Sequence, residues 1–570
     1  MRGVNNTLLN LDLSTGTSRI EGIPEELHRR YLGGYGLGAA LLLDRMDGAA
    51  DPLGPENILG FAAGILTGTG AYIASRFMVF GKSPSTGGWG DANCGAYFGK
   101  ALKSSGFDAV LLSGAAENPV YILLSGGTCR VLPAADLWGL DTCETEEILL
   151  KRHPGTRVAC IGPAGERLSM IAGISTDQGR YAARSALGAV MGSKNVKALV
   201  AAGGDFPALA DPEAMKELRK KHRAVFHDTF PDLLRKYGTP MFYNEANKSG
   251  DTPFRNWAAS VDDMEPLGRD EAEEMLKYQT KRYGCSGCPV ACGGHVEVKE
   301  GPFRTDGPVH KAEYETLGIF GANLFNTDIE SIIRINDLCN RYGMDTIGCG
   351  GLCAFATECY EKGIITPEHT GGLKLTWGDP EALVRLVEMI GKAEGLGAIL
   401  SRGFEYAVSV FGEESRKYVM AVRNEGLPAH DPRWGADLAL TYYSDATPAR
   451  HTQGCTVFPA AGYTMPEGAD TDPAVQARAH RDNVGWYHAL SSLGLCLFGF
   501  SILDYHTVPD FLSAATGAQW TPDELLEAGL RIHLARHLFN LRAGIKFTDY
   551  PFPERVLGKP PLKTGETKGV

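Results

Sequence analysis

The sequence predicts an α+β protein in which a strand-rich N-terminal part precedes two mostly helical parts. Short alternating apolar runs at 6–13, 108–114 and 119–124 end at turn-forming residues, which is typical of β-strands. From about residue 209 the apolar positions recur with helical spacing, as in 329–342 and 522–542. Because 570 residues exceed what one hydrophobic core accommodates, we expect three domains, at 1–208, 209–415 and 416–570.

The composition is that of a globular protein that acts on small molecules. Hydrophobic residues make up 44% of the chain and charged residues 22%, and the net charge is −12 without any basic stripe. This balance argues against a nucleic-acid partner. No secretory signal is recognisable at the N-terminus, and no stretch reaches the roughly 18 apolar residues of a membrane span. Thirteen cysteines without a disulfide framework suit the cytoplasm, which is the expected location.

Three thiols crowd into eight residues at Cys285, Cys288 and Cys292, with the spacing C-x2-C-x3-C. Such spacing suits one small inorganic centre, and it leaves the fourth ligand to another part of the chain. His295 as that ligand would make the site structural zinc. A distant cysteine such as Cys496, which lies in an apolar run, would make it a 4Fe–4S cluster, the interpretation that the spacing favours. Unligated core cysteines are the third alternative.

Three glycine-rich segments of the N-terminal domain, at 75–84, 90–99 and 162–195, favour an anionic ligand. Small residues let backbone N–H groups approach a phosphate, and Arg76 and Arg180 supply positive charge. The alternative is that these segments are ordinary surface turns. A G-x-G-x-x-A match at 34–39 follows a helical sequence instead of a strand, so we expect packing glycines there and no dinucleotide site.

Ordered segments along nearly the whole chain resemble the aldehyde ferredoxin oxidoreductase family of tungsten enzymes. They lie at 11–16, 83–87, 162–166, 187–195, 312–316 and 426–433. The resemblance implies tungsten or molybdenum held by two pyranopterins on a β-rich N-terminal base, beneath two helical domains. It further implies a neighbouring 4Fe–4S cluster, magnesium that bridges the pterin phosphates, and electron transfer to ferredoxin or a small iron–sulfur subunit.

The resemblance assigns site residues one by one. The implied cluster ligands are Cys285, Cys288, Cys292 and Cys496. The implied pterin contacts are Arg76, Asn93, Cys94, Gly95, Arg180, Tyr181, Ala183, Asp345 and Leu495. The family's D-x-x-G-L-(D/C) motif occurs at 340–345 and 491–496, with Asn340 and Ser491 in place of its first Asp. A neutral acceptor keeps the hydrogen bond to pterin but loses its charge assistance.

Glu315 and His451 stand by resemblance beside the metal, where a base and a hydrogen-bonding group serve aldehyde oxidation to a carboxylic acid. From the residues alone, a solvated glutamate and a structural histidine are commoner. Segment 445–451 departs from the family's N-x-R-G-x-x-H pattern except at the histidine. A second hypothesis is therefore reduction of an aryl thioester, as in benzoyl-CoA reductase, with Cys349 or Cys455 on the metal. A zinc-stapled protein without catalytic activity is a third.

Two further expectations concern the surface of the protein. Arg334 occupies a position at which some relatives place a metal-binding glutamate between subunits, and a guanidinium cannot ligate a cation. Any homodimer should therefore form without a bridging metal. Residues 559–570 are expected to form a loose tail.

Overall fold

The computed structural model describes residues 1–264, 271–469 and 471–570. Its first 202 residues form two six-stranded mixed sheets that pack face to face, as the predicted fold class requires. The first sheet has the order β2-β1-β6-β3-β4-β5, with strands β1 (Thr7–Asp12), β2 (Thr17–Gly22), β3 (Leu59–Ala63), β4 (Phe77–Lys82), β5 (Trp89–Cys94) and β6 (Ala109–Ser113). The second has the order β11-β10-β9-β12-β7-β8, with strands β7 (Val120–Ser125), β8 (Thr128–Pro133), β9 (Thr156–Cys160), β10 (Ile174–Thr176), β11 (Arg180–Ala182) and β12 (Val196–Ala202).

Two of the glycine-rich segments prove to be buried strands, not surface turns. β4 and β5 pair antiparallel, with Met78 opposite Asn93. Both faces of β4 are covered, because Phe77 and Val79 pack between the two sheets while Met78 and Phe80 pack under helices. A strand buried on both faces shows no polar alternation, which explains why its sequence did not indicate a strand.

Six helices belong to this N-terminal part: α1 (Glu25–Tyr31), α2 (Gly34–Arg45), α3 (Phe98–Ser104), α4 (Thr142–Arg152), α5 (Pro163–Glu166) and α6 (Leu187–Ser193). The glycines of 34–39 lie at the start of α2 and serve packing. A Cβ at Gly38 would approach the Phe80 ring to 2.7 Å, and one at Gly36 would approach Ile532 to 2.6 Å. The expected helix pair with packing glycines is confirmed, and helix α1 directly precedes the G-x-G match in place of a strand.

The remainder of the described chain is mostly helical. Residues 209–415 hold α7 (Pro212–His222), α8 (Thr229–Tyr237), α9 (Tyr243–Ser249), α10 (Glu271–Lys277), α11 (Tyr314–Phe320), α12 (Ile329–Tyr342), α13 (Thr346–Glu361), α14 (Pro367–Thr370), α15 (Pro380–Lys392), α16 (Leu396–Leu400) and α17 (Phe404–Phe411). Later residues hold α18 (Ala436–Ser444), α19 (Pro473–Ser492), α20 (Leu497–Phe500), α21 (Val508–Thr516) and α22 (Pro522–Arg542). Small sheets consist of β13 (Gln279–Tyr283), β14 (Gly293–Val296) and β15 (Val309–His310), and of β16 (Ala421–Val422) and β17 (Glu425–Gly426). Among the helices described, none has the length and apolarity needed to cross a membrane.

Two loops attach the helical residues to the strand base in the same way. The loop between α12 and α13 forms an antiparallel bridge between Met344 and Ala172. The loop between α19 and α20 forms the equivalent bridge between Leu495 and Ala74. Each loop turns at a glycine with positive φ, +84° at Gly343 and +89° at Gly494. The two motif copies at 340–345 and 491–496 therefore attach to the strand base in the same way.

The C-terminal segment is not a loose tail. Leu562 and Thr567 are both 7% exposed. The side chain of Ser260 bonds to Thr564 at 2.8 Å, and the N–H of Gly565 donates to Asp262 at 3.0 Å. The polar, glycine-containing sequence of 559–570 indicated a loose tail. That prediction was wrong because the hydrogen-bond partners of this segment lie about 300 residues earlier in the chain.

Candidate active site and cluster site

The three clustered thiols lie between β13 and β14, and Cys496 reaches them from the loop before α20. The N–H of Ser286 donates to Ala96 at 3.2 Å, which fastens the cysteine loop to the strand base. Burial raises the pKa of Cys288 to about 11, and the neighbouring Cys496 and Cys285 add to the rise. Burial also raises the pKa of Cys292. Thiols in this state become thiolates when a metal centre binds them.

The spacing of these sulfur atoms does not suit a single zinc ion. Four thiolates on zinc lie about 3.8 Å apart, from Zn–S bonds of about 2.3 Å in a tetrahedron. In the described part of the chain, none of these cysteines belongs to a group of three or more ligand atoms that all lie within 4.8 Å of one another. The His295 ring packs on His310 at 4.5 Å between centroids, across the β14–β15 pair. The arrangement thus favours a centre larger than one ion.

Two half-buried arginines border the thiols. Arg76 donates from Nη2 to the Cys496 sulfur at 3.1 Å and from Nη1 to Asn93 at 3.0 Å. Burial alone would lower the pKa of Arg76, but the charges of Cys496 and Cys285 raise it overall. Arg180 pairs with Glu313 at 2.8 Å, and Cys285 and Cys292 also contribute to its raised pKa. Both guanidinium groups therefore stabilise thiolates and are charged themselves.

A cavity of about 260 Å³ opens on the other side of Arg76. Five residues from the implied pterin set line it, namely Arg76, Asn93, Tyr181, Ala183 and Ser491. The buried Nε of Arg76 and Nη1 of Arg184, which also lines the cavity, have no hydrogen-bond partner among the described residues. Unpartnered donors facing a cavity indicate a bound group with acceptor atoms, such as a pterin or its phosphate.

The other implied pterin residues lie around this cavity without lining it. Cys94 and Gly95 lie next to the cluster loop, where a Cβ at Gly95 would come within 2.9 Å of the Cys285 sulfur. The Asn340 carbonyl accepts a hydrogen bond from Tyr181 Oη. The Asp345 carboxylate caps α13, accepting from the N–H of Gly348 at 2.9 Å. Leu495 forms the bridge to Ala74 and is 3% exposed.

Glu315 and His451, which lie 136 residues apart in the chain, meet beside the cavity, although Glu315 is not among the residues that line it. Glu315 is in the first turn of α11, and its Oε2 accepts from the N–H of Ala429 at 2.8 Å. Its Oε1 is buried without a hydrogen bond in the described residues, with His451 Nδ1 3.2 Å and His430 Nε2 3.6 Å away. His451 lines the cavity directly. One carboxylate oxygen is thus fixed by a hydrogen bond, while the other lies between two imidazole rings.

The protonation of this group is set by burial and by neighbouring charges. Burial raises the pKa of Glu315, although His430, the N–H of Ala429 and Arg184 each lower it. Burial, His430 and Arg184 hold the pKa of His451 well below 6.5, so that ring is neutral at pH 7. The pair therefore combines a carboxylate that is more basic than usual with an uncharged imidazole.

His430 and Asp251 are site residues that the sequence did not reveal. Asp251 accepts from His430 Nδ1 at 2.8 Å, and the His430 ring stacks on Tyr314 at 4.8 Å between centroids. Burial lowers the pKa of His430, but Asp251 and Glu315 raise it to a net value above 6.5. Asp251 follows α9 and lies far from His430 in the sequence, so no local pattern indicated their contact. The one sequence feature that could have pointed to the site was the position of His430 next to the family-like segment 431–433.

The two cysteines considered as metal ligands lie away from the cavity surface. Cys349 is buried in α13, where hydrogen bonds from Cys339 and Cys353 lower its pKa to about 6. Cys455 is buried and its thiol contacts the His451 carbonyl at 3.3 Å. Neither cysteine is among the described residues that line the cavity.

Family models match almost the entire chain. The model described as aldehyde ferredoxin oxidoreductase, N-terminal domain, matches residues 8–203, and the one described as domains 2 and 3 matches residues 213–570. The chain belongs to the aldehyde ferredoxin oxidoreductase family. The family resemblance seen in the sequence is therefore confirmed over nearly the whole chain, and the protein is an oxidoreductase.

Relatives within and near the aldehyde ferredoxin oxidoreductase family cover the chain end to end. The tungsten-containing aldehyde ferredoxin oxidoreductase of Pyrococcus furiosus is 37% identical over 98% of this chain and 92% of its own. The WOR-like subunit of an aliphatic sulfonate oxidoreductase from the same organism is 30% identical over 100% and 92%. The BamBC active-site complex of benzoyl coenzyme A reductase shares the fold, with a TM-score of 0.84, 24% identity and coverage of 97% and 91%.

Replacing Asp251 by Asn tests the electrostatics of this site. The pKa of His430 in the folded protein is above 6.5, so its charged pairing with Asp251 stabilises the fold fully below pH 6.5. This stabilisation is lost as the pH rises through the folded pKa. We expect Asp251→Asn to lower the free energy of unfolding by about 3–5 kcal/mol at pH 6, as for other broken buried ion pairs, and by less at pH 9.

Denaturant unfolding at the two pH values measures this difference. The exposed Asp205→Asn serves as the matched control and should change stability little at either pH. An equal loss of stability at pH 6 and pH 9 in Asp251→Asn would show that His430 does not change its charge between these two pH values.

Proposed function

We propose that this protein oxidises an aldehyde to the carboxylic acid and passes the electrons through one 4Fe–4S cluster to ferredoxin or a small iron–sulfur partner subunit. The observation that carries the proposal is the pair of Glu315 Oε1 and His451 Nδ1, 3.2 Å apart, beside a cavity that is lined by His451 and by Arg76, which also bonds to Cys496. Membership of a family whose relatives are named tungsten-containing aldehyde ferredoxin oxidoreductases supports it.

The cofactor would be a tungsten or molybdenum bis-pyranopterin, which when bound supplies a two-electron acceptor. Arg76, Asn93, Tyr181, Ala183 and Ser491 would hold it from the cavity wall. Cys94, Gly95, Arg180, Asn340, Asp345 and Leu495 would support it from the surrounding residues. Two further components complete the proposed set. One is magnesium between the pterin phosphates, and the other is the cluster on Cys285, Cys288, Cys292 and Cys496.

The protein's own part in the reaction is proton transfer and orientation. Glu315 Oε1 accepts a proton from a water or a hydrated aldehyde at the cavity, while the N–H of Ala429 keeps the carboxylate in place through Oε2. The neutral His451 orients the carbonyl oxygen of the substrate by a hydrogen bond. His430, held by Asp251, adds positive charge beside Glu315 and so stabilises its ionised form.

Aryl-thioester reduction on the same cofactors is the second candidate, because the benzoyl coenzyme A reductase complex shares the fold. The burial of Cys349 and Cys455 away from the cavity surface disfavours a cysteine on the metal in this chain. We also propose that any homodimer lacks a bridging metal, since Arg334 pairs with Asp337 at 2.8 Å and offers a cation no ligand.

Glu315→Gln tests the assigned base. The amide keeps the size and the hydrogen bond to Ala429 but cannot accept the proton, so kcat with an active aldehyde should fall by about 10²–10⁴-fold. His451→Asn should lower kcat by about 10²–10³-fold through lost orientation of the carbonyl oxygen. An aldehyde panel with an aryl-CoA thioester alongside provides the assay.

Metal and cluster contents must match those of the parent in both variants, which separates a catalytic defect from a loading defect. The exposed Glu368→Gln is the matched control and should retain full activity. Near-normal kcat in fully loaded Glu315→Gln would assign proton transfer to another group. If the enzyme turned over the thioester and no aldehyde, aryl-thioester reduction would replace aldehyde oxidation as the proposed function.

Cys496→Ser tests the ligand set of the cluster. Because Cys496 contributes to the raised pKa of Cys288 and Cys292, its loss should disturb the cluster as strongly as Cys288→Ser. Electron paramagnetic resonance of the dithionite-reduced proteins measures the cluster signal. Cys129→Ser, on β8 in the second sheet, is the control and should leave the signal intact. An unchanged signal in Cys496→Ser would remove this residue from the ligand set.

A further inference from the structure

A second cavity, of about 270 Å³, lies outside the proposed active site at the end of α22. It is lined by Arg423, Asp445, His537, Asn540, Leu541, Ile545, Lys546, Phe547 and Thr548. None of these residues belongs to the sets assigned above to the pterin, the cluster or the reaction. The cavity therefore needs an explanation of its own.

Arg423 is a buried charge whose donors are only partly used. The residue is 8% exposed, and its Nη2 donates to the Ala446 carbonyl at 2.8 Å and to the Asp445 carbonyl at 3.3 Å. Its Nε and Nη1 are buried without a hydrogen-bond partner in the described part of the chain. Burial lowers the pKa of Arg423 to about 10, a fall that the charges of Tyr550, Asp445 and Glu425 offset only in part. A buried guanidinium in this state lacks an anion.

The acidic groups near Arg423 already pair with other arginines. Asp445 accepts from Arg536 at 2.9 Å and 3.2 Å, and Glu425 pairs with Arg184 at 3.0 Å. Lys546 adds a second positive charge at the exposed rim of the cavity. Burial lowers the pKa of His537 to about 4, so its ring is neutral and carries no compensating or competing charge at pH 7. Among the described residues that line the cavity, the positive charges of Arg423 and Lys546 outnumber the negative charge of Asp445.

The remaining wall of the cavity is apolar. Leu541 is 57% exposed and Phe547 is 40% exposed at the mouth, while Ile545 is 7% exposed further in. We propose that this cavity binds a small organic carboxylate with a short apolar chain, the carboxylate on Arg423 and the chain against Leu541, Ile545 and Phe547. The forked guanidinium matches the two oxygens of a carboxylate, and the exposed apolar rim favours a carbon chain over an inorganic anion.

The cavity is connected to the proposed active site through the backbone. The Asp445 and Ala446 carbonyls that Arg423 holds begin the segment that leads to Arg450 and His451. A carboxylate that fixes the Arg423 side chain therefore also restrains the segment carrying His451. This coupling gives a bound carboxylate a route to change turnover without entering the active-site cavity.

Isothermal titration calorimetry of the anaerobically purified holoenzyme with butyrate tests the proposal, in a buffer free of other carboxylates and phosphate. We expect one saturable site per chain at Arg423, with Arg423→Gln weakening its affinity at least about ten-fold through the lost charge-assisted hydrogen bonds. Lys546→Gln should weaken it a few-fold, whereas Lys374→Gln, an equally exposed charge change elsewhere, should leave it unchanged.

Two further measurements keep the test decisive if Arg423→Gln fails to fold. Acetate should bind more weakly than butyrate, and Phe547→Ala should weaken butyrate binding more than acetate binding. Inorganic phosphate that binds as tightly as butyrate would overturn the assignment to a carboxylate. Absence of saturable butyrate binding, or binding that no change at Arg423, Lys546 or Phe547 affects, would overturn the site itself.

Discussion

The site depends on two main-chain attachments that hold helical loops against the strand base. In one, the N–H of Arg76 donates to Gly494 and the N–H of Cys496 donates to Ile73, both at 3.1 Å. In the other, the N–H of Gly173 donates to Gly343 at 2.9 Å and that of Asp345 to Ile171 at 2.8 Å. The first attachment places Arg76 and Cys496 side by side, so the cavity wall and the cluster site are formed by the same few hydrogen bonds.

Burial makes the charges around this attachment interdependent. Thiols in an apolar setting hold their protons, while buried guanidinium groups need negative partners. Arg76 and Arg180 beside the four cysteines satisfy both requirements once the sulfur atoms are deprotonated. The same reasoning applies around Glu315, where burial makes the carboxylate more basic and the imidazole of His430 opposes that change. Desolvation thus prepares both the electron route and the proton acceptor.

The sequence predicted those parts of the structure that depend on local patterns. The periodic runs 329–342 and 522–542 predicted helices with the observed bounds. Family resemblance brought together Glu315 with His451, and Cys496 with the cysteine motif. No local pattern indicates contacts such as Asp251 with His430, or Arg423 with the Asp445 and Ala446 carbonyls, because they depend on packing between distant segments. The strand at 77–82 was missed since burial on both faces removes the alternation.

The central claim is that the cavity and the four cysteines hold a tungsten or molybdenum pterin and one iron–sulfur cluster. Elemental analysis of anaerobically purified protein tests it most directly, because it needs no substrate and no variant. We expect about four iron atoms and about one tungsten or molybdenum atom per chain. Stoichiometric zinc without iron would contradict it and would favour a zinc-stapled protein instead.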